Sequence, residues 1–170
     1  MTPDTNTTAA SRATDPRAGS PEGVPCMVRE VAMDERTFTA QVAERLGFDE
    51  RLASEVTFAV FQELHDRLTP EEAADIAAQL PTPLKQLWQV GEERHRAVRR
   101  THRPEFLSGV RAQAGLPDLA AAERAVRAVF AVLQDLLGSR TGREGEAGDV
   151  LSQLPKDLKP LWVSARTTSP

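Results

Sequence analysis

At 170 residues and a formal net charge of −4, the chain is long enough for one domain or two small ones. It carries no bulk positive charge to draw it onto nucleic acid or an anionic membrane. Hydrophobic residues make up 40% and charged residues 27%, but aromatics only 5%, so the core must be mostly Leu, Val and Ala, which suits helices packed on helices better than a sheet.

A single cysteine, Cys26, excludes an intramolecular disulfide and a disulfide-framed secreted fold. The longest apolar run, Ala128 to Leu133, is far short of the ~18 residues a membrane span needs, and no secretory apolar stretch follows Met1. The expected location is therefore the cytoplasm, without membrane attachment. Of the 21 basic residues only Lys85, Lys156 and Lys159 are lysine, a bias typical of GC-rich bacterial genomes.

Residues 1–33 are rich in Thr, Pro, Ser, Ala and Gly and lack apolar periodicity. Such a segment buries too little surface to offset its ordering entropy and is expected to be a disordered tail. A first helical unit is predicted over 34–90. Phe38, Val42 and Leu46 recur at i, i+4 and i+8, and Gly47 stands where a left-handed C-terminal residue belongs. A second helix, from about Asp49 to Leu68, carries Leu52, Val56, Val60 and Leu64 as a stripe widened by Phe61 and Leu68. Thr69-Pro70-Glu71-Glu72 opens a third: Thr69 accepts from orphan N–H groups, Pro70 suits the first turn, and Glu72 completes a capping box. Ile76 and Leu80 face inward before Pro81 ends it. Thr82-Pro83 is expected to start a fourth by the same logic, with Leu84, Leu87 and Trp88 as its apolar face.

Residues 91–104 are predicted as a basic helical linker, 105–164 as a second unit and 165–170 as a tail. The second unit repeats the first. Phe38, Val42 and Gly47 match Phe106, Val110 and Gly115; Ala59-Val60-Phe61, Leu64 and Leu68 match Ala128-Val129-Phe130, Leu133 and Leu137. Asp75-Ile76, Gln79-Leu80-Pro81 and Leu87-Trp88 match Asp149-Val150, Gln153-Leu154-Pro155 and Leu161-Trp162. Chance rarely aligns so many residues in order. One departure is Gly138 to Gly145, which replaces the capping box and is predicted as a flexible surface loop. Four glycines between 138 and 148 suggest a phosphate loop, but the Gly-Lys-Ser/Thr signature and a preceding strand are missing. Four short helices bury too little surface to be stable alone. The expected fold is therefore all-α: two tandem four-helix repeats sharing one core about a pseudo-two-fold axis.

The segment Leu64 to Trp88, with Thr-Pro-Glu-Glu-Ala-Ala-Asp-Ile-Ala-Ala-Gln-Leu-Pro at its centre, resembles the bacterial domain-of-unknown-function family 2267. So does Asp149 to Leu158. The most specific part is Gln-Leu-Pro followed by Leu-x-x-Leu-Trp in both units, and the resemblance spans about residues 34–164. It implies a duplicated all-helical architecture and brings no activity, cofactor or catalytic residue with it.

No catalytic, cofactor or metal site is expected. His65 borders an apolar stripe and reads as a half-buried structural residue, because no His-Glu-x-x-His or Cys-x-x-Cys accompanies it. Glu71, Glu72 and Asp75 complement a helix dipole rather than forming a catalytic pair. Asp75, Gln79, Asp149 and Gln153 persist in both units; their structural reading is a solvated helix face and a backbone partner at the following proline. Trp88 and Trp162 read as core anchors whose indole N–H groups find nearby carbonyls.

From Arg94 to Arg103 the chain reads Arg-His-Arg-Ala-Val-Arg-Arg-Thr-His-Arg. As a continuation of the fourth helix it would be a basic rod, with Arg94, Arg96, Arg99, Arg100 and Arg103 able to meet phosphates or an acidic partner. The plainer reading is a solvated linker. The expected function is a non-catalytic protein–protein interaction or regulatory module with a protein partner. The alternatives are a nucleic-acid-associated protein using the Arg94–Arg103 segment, and a ligand-binding domain or enzyme with its site between the units.

Overall fold

The computed structural model describes residues 34–90, 98, 102–141 and 145–166. Among them are helices and connections, without a strand: α1 (Glu35–Leu46), α2 (Glu50–His65), α3 (Pro70–Gln79), α4 (Thr82–Gln89), α5 (Arg103–Gln113), α6 (Leu119–Thr141), α7 (Gly145–Gln153) and α8 (Lys159–Ala165). The predicted tail over 1–33, with Cys26, lies outside the described residues.

Local chemistry sets the helix ends. Asp34 and Asp49 cap α1 and α2, their side chains accepting from the backbone N–H of Thr37 at 2.7 Å and of Leu52 at 2.8 Å. The backbone N–H of Thr37, reinforced by its side chain, holds the Asp34 carboxyl below its ordinary range. A group with a depressed folded pKa stabilises the fold above its unfolded pKa. The Asp34 contribution is lost as pH falls through the folded value. Gly47 and Gly115 end α1 and α5 at φ +64° and +63°, the left-handed conformation that a residue with a Cβ resists. Thr69 and Glu72 form the reciprocal box: the Thr69 N–H donates to Glu72 Oε2 at 2.9 Å and the Glu72 N–H to Thr69 Oγ1 at 3.3 Å.

Several boundaries differ from the sequence expectation: α5 already begins at Arg103, and α8 keeps Ala165 in the core. α2 stops at His65; the Leu68 N–H donates to the His65 carbonyl at 3.2 Å in a turn that still buries Leu68. Thr82 is the first helical residue of α4 rather than its cap, and Pro81 precedes it without a side-chain acceptor. The predicted loop from Gly138 is helical as far as Thr141. Buried Leu136 and Leu137 hold the preceding turn to the core. The helix can then carry an exposed glycine at a propensity cost of about 1 kcal/mol.

α2 and α6 lie at the centre. α2 packs against α1, α4, α5 and α6, and α6 packs against α1, α5, α7 and α8 as well. α3 bridges α4 and α7. A single core joins them, with Phe38, Phe61, Phe106 and Phe130 fully buried beside Leu84 and Leu158. Each such side chain contributes about 1.5–3 kcal/mol through removal of apolar surface from water. No helix of the described residues is long and apolar enough to cross a membrane.

Candidate functional site

Aromatic rings line both sides of the seam between the first four helices and the last four, Phe61 and Trp88 on one side and Trp162 on the other. Phe61 meets Phe38 at 6.2 Å and stands edge-on to Trp88 at 5.5 Å, and Phe130 meets Trp162 at 5.2 Å between ring centres. Phe61, Leu64, Trp88, Leu133, Leu137 and Trp162 enclose a void of about 10 Å³. That is at most the space of one water, against the ~300 Å³ or more of a small-molecule site, so side chains fill this part of the seam. Gln134 Nε2 donates to the Trp162 carbonyl at 2.7 Å. Its counterpart His65 instead lies edge-on to Trp88 at 5.6 Å, half-buried as the sequence suggests. Among the described residues the buried Trp88 Nε1 finds no hydrogen-bond partner, contrary to the expectation that each indole reaches a carbonyl. The rings of Phe61 and His65 both stand edge-on to the Trp88 ring.

The aligned polar residues and tryptophans divide between surface and interior. Asp75 on α3 and Asp149 on α7 are exposed, Gln79 and Gln153 are half-buried at the last positions of the same helices, and Trp88 and Trp162 are in the core. Among the described residues no group of three or more His, Cys, Asp or Glu side chains gathers to hold a metal ion.

Of the predicted basic contact residues, Arg94, Arg96, Arg99 and Arg100 lie outside the described residues, together with His95. Arg103 opens α5 and pairs with Glu123 at 2.8 Å. α4 ends at Gln89, Val98 is not helical, and Pro104 in the first turn of α5 marks a new start. Val98 and His102 are the described positions of the predicted rod before α5, and neither is helical; its remaining residues lie outside the described ones.

Two features were missed from sequence. The first is Arg67, whose side chain is 3% exposed and whose Nη2 reaches Asp157 Oδ2 at 2.9 Å. Its guanidinium carbon lies 5.5 Å from the centre of the Phe106 ring. One side chain thus ties the turn after α2 to the approach to α8 and to α5. The sequence alignment held a clue, since Arg67 stands at the position that aligns with the core residue Leu136.

The second is a groove of about 190 Å³ between the end of α1, the middle of α6 and the end of α8. Its floor is apolar: Ala128 and Ala131, one turn apart on α6, are too small to fill the space beside Phe48 and Ala165. Its rim is cationic, formed by Arg45, Arg124 and Arg127. Arg45 pairs with Asp135 and Arg127 with Glu123. Arg124 is exposed and makes no ion pair among the described residues.

The family model described as an uncharacterized conserved protein (DUF2267) matches residues 35–165. Among curated proteins none matches the chain.

Proposed function

We propose, from the premise that the chain belongs to the DUF2267 family, that two tandem four-helix repeats about a pseudo-two-fold axis make a non-catalytic protein–protein interaction module. The repeat reading is supported by which helices touch. α1 packs on α6 as α5 packs on α2, while α2 meets α6 and α3 meets α7. Exchanging the two units leaves that set of pairings unchanged, as a two-fold axis requires.

The interaction reading rests on where the apolar concavity lies. The void at the seam amounts to about 10 Å³, whereas a groove of about 190 Å³ opens outward beneath three arginines. A site between the units for ligand or catalysis is less well supported, because Phe61, Trp88, Leu133 and Trp162 occupy that space. The nucleic-acid alternative keeps the arginines from 94 to 100, but Arg103 is engaged by Glu123. A cytoplasmic setting in a bacterium remains the proposed location.

A cross-linking pull-down from the native host, with the intact chain at mild salt, tests the reading. A stoichiometric protein partner that survives nuclease treatment is expected. Loss of all co-eluting material on nuclease treatment would place the nucleic-acid reading first. Turnover of a co-eluting small molecule would overturn the non-catalytic assignment.

A further inference from the structure

We infer that the groove between α1, α6 and α8 is a docking site for an acidic peptide segment of a partner protein, one bulky apolar side chain entering the trough and flanking carboxylates meeting the arginine rim. This rests on the interaction-module reading and deepens it by naming the surface and the chemistry of its occupant. Size is the first argument. A dry cavity of ~150 Å³ accommodates a benzene ring, so a trough of about 190 Å³ takes one Phe- or Leu-sized group and not a whole cofactor. The floor of Phe48, Ala128 and Ala131 offers such a group apolar contact.

Charge complementarity is the second argument. In a chain of net charge −4, Arg45, Arg124 and Arg127 converge on one small apolar opening from two helices 79 positions apart in sequence, counting Arg45 to Arg124. Arg124 is exposed and makes no ion pair among the described residues, so its guanidinium is available to an incoming carboxylate. The partners of Arg45 and Arg127 are solvent-accessible side chains, Asp135 at 59% and Glu123 at 26% exposure. The exposed Arg45–Asp135 pair contributes little and can be shared with a peptide carboxylate, whereas Glu123 also holds Arg103, so Arg127 stays with it and Arg124 is the arginine that a peptide carboxylate meets first.

The third argument comes from the matching positions of the other unit. There Arg45, Arg124 and Arg127 correspond to Gln113, Glu55 and Phe58, and Ala131 corresponds to Gln62. The cationic rim is gone, and Gln62 stands in place of one of the two floor alanines while Ala59 matches the other. Helix packing alone therefore does not generate the groove; the residues of the second unit do.

The test is fluorescence polarisation with the full chain and a short labelled peptide holding one Phe flanked on both sides by Asp and Glu. Saturable binding is expected. It should weaken by about tenfold, the effect of one charge-assisted hydrogen bond, in Arg124→Glu, whose melting should be unchanged because the side chain is exposed. A peptide with Phe replaced by Ala, and one with the acids replaced by Asn and Gln, should each bind at least that much more weakly. Ala128→Met, filling the trough, should weaken binding without reversing any charge. Absence of binding, equal binding of the three peptides, or indifference to both Arg124→Glu and Ala128→Met would overturn the inference. So would preferential, Arg124-dependent binding of a single-stranded oligonucleotide or of anionic phosphatidylglycerol vesicles. If the peptide fails while the pull-down still returns a nuclease-resistant protein partner, the groove assignment falls and the interaction module stands.

Discussion

Residues 34–90 and 102–166 bury the same kinds of side chain at matching positions and fasten their polar groups in different ways. Phe38 and Phe106, Val42 and Val110, Phe61 and Phe130, and Trp88 and Trp162 are all buried, and Gly47 and Gly115 share one left-handed conformation. Where the first unit places His65 against a tryptophan ring, the second places Gln134 on a tryptophan carbonyl. Where the second has the core leucine Leu136, the first has Arg67 in an ion pair that crosses to the other unit. Apolar spacing is thus common to both halves, while each polar fastening is a local solution.

The largest effect that would break this comparison is separation of the halves. Because the core runs through both, residues 34–90 expressed alone should show no cooperative unfolding transition in urea, whereas residues 34–166 should show one. A sharp transition in the fragment would make the halves independent domains rather than parts of one core. Within the intact chain, Phe61→Ala and Phe130→Ala should each cost about 3–5 kcal/mol by denaturant titration. Similar losses support equivalent roles at the seam. A loss confined to one of them would show that only one unit organises the core.

Arg67 sharpens the comparison at the next level. Arg67→Leu reproduces the residue type of position 136, but it leaves Asp157 without its cation. Since Asp157 is 31% exposed and can be hydrated, the expected cost is about 1–3 kcal/mol rather than the full penalty of a buried lone charge. Adding Asp157→Ala should recover most of that loss, because an apolar replacement of a buried pair is often neutral or better. If the double variant is as unstable as the single, the guanidinium contact with Phe106 is the larger contribution.

These differences follow the line between what the sequence reveals and what it conceals. The stripe through Phe38 and Val42, the glycine at 47 and the box from Thr69 to Glu72 are local patterns within one or two turns, and they appear in the structure where they were read. The helix across Gly138 was hidden because propensity marks glycine as a breaker, while the leucines that hold it act through tertiary contact. Arg67 was hidden because arginine reads as surface until its partner, Asp157, is known to be near. The groove combines both problems. Arg124, Arg127, Ala128 and Ala131 read as an ordinary helix flank, and Arg45 reaches them only when α1 packs on α6. Polar residues that differ between matching positions are the best available signal for such places.

Gly109 gives the smallest expected effect and the finest test. It lies within α5 where the side chain of Glu63 from α2 crosses it, and a Cβ added there would overlap the Glu63 carboxyl group. The matching position on α1 is Gln41, half-buried, so α1 carries a side chain where α5 has none. Two effects oppose each other in Gly109→Ala. Alanine gains about 1 kcal/mol of helix propensity over glycine. The displaced Glu63 loses the hydrogen bond it accepts from Gln113, worth about 0.5–1.5 kcal/mol. The obstructing atoms are the end of a flexible side chain and not backbone, so α2 and α5 need not separate. The terms nearly cancel, and stability by urea titration should stay within about 0.5 kcal/mol of wild type. A loss beyond about 2 kcal/mol, the scale of overpacking, would mean that α2 and α5 are locked at a closer approach than α1 and α6. The two faces of the seam would then be unequal in backbone as well as in polar chemistry.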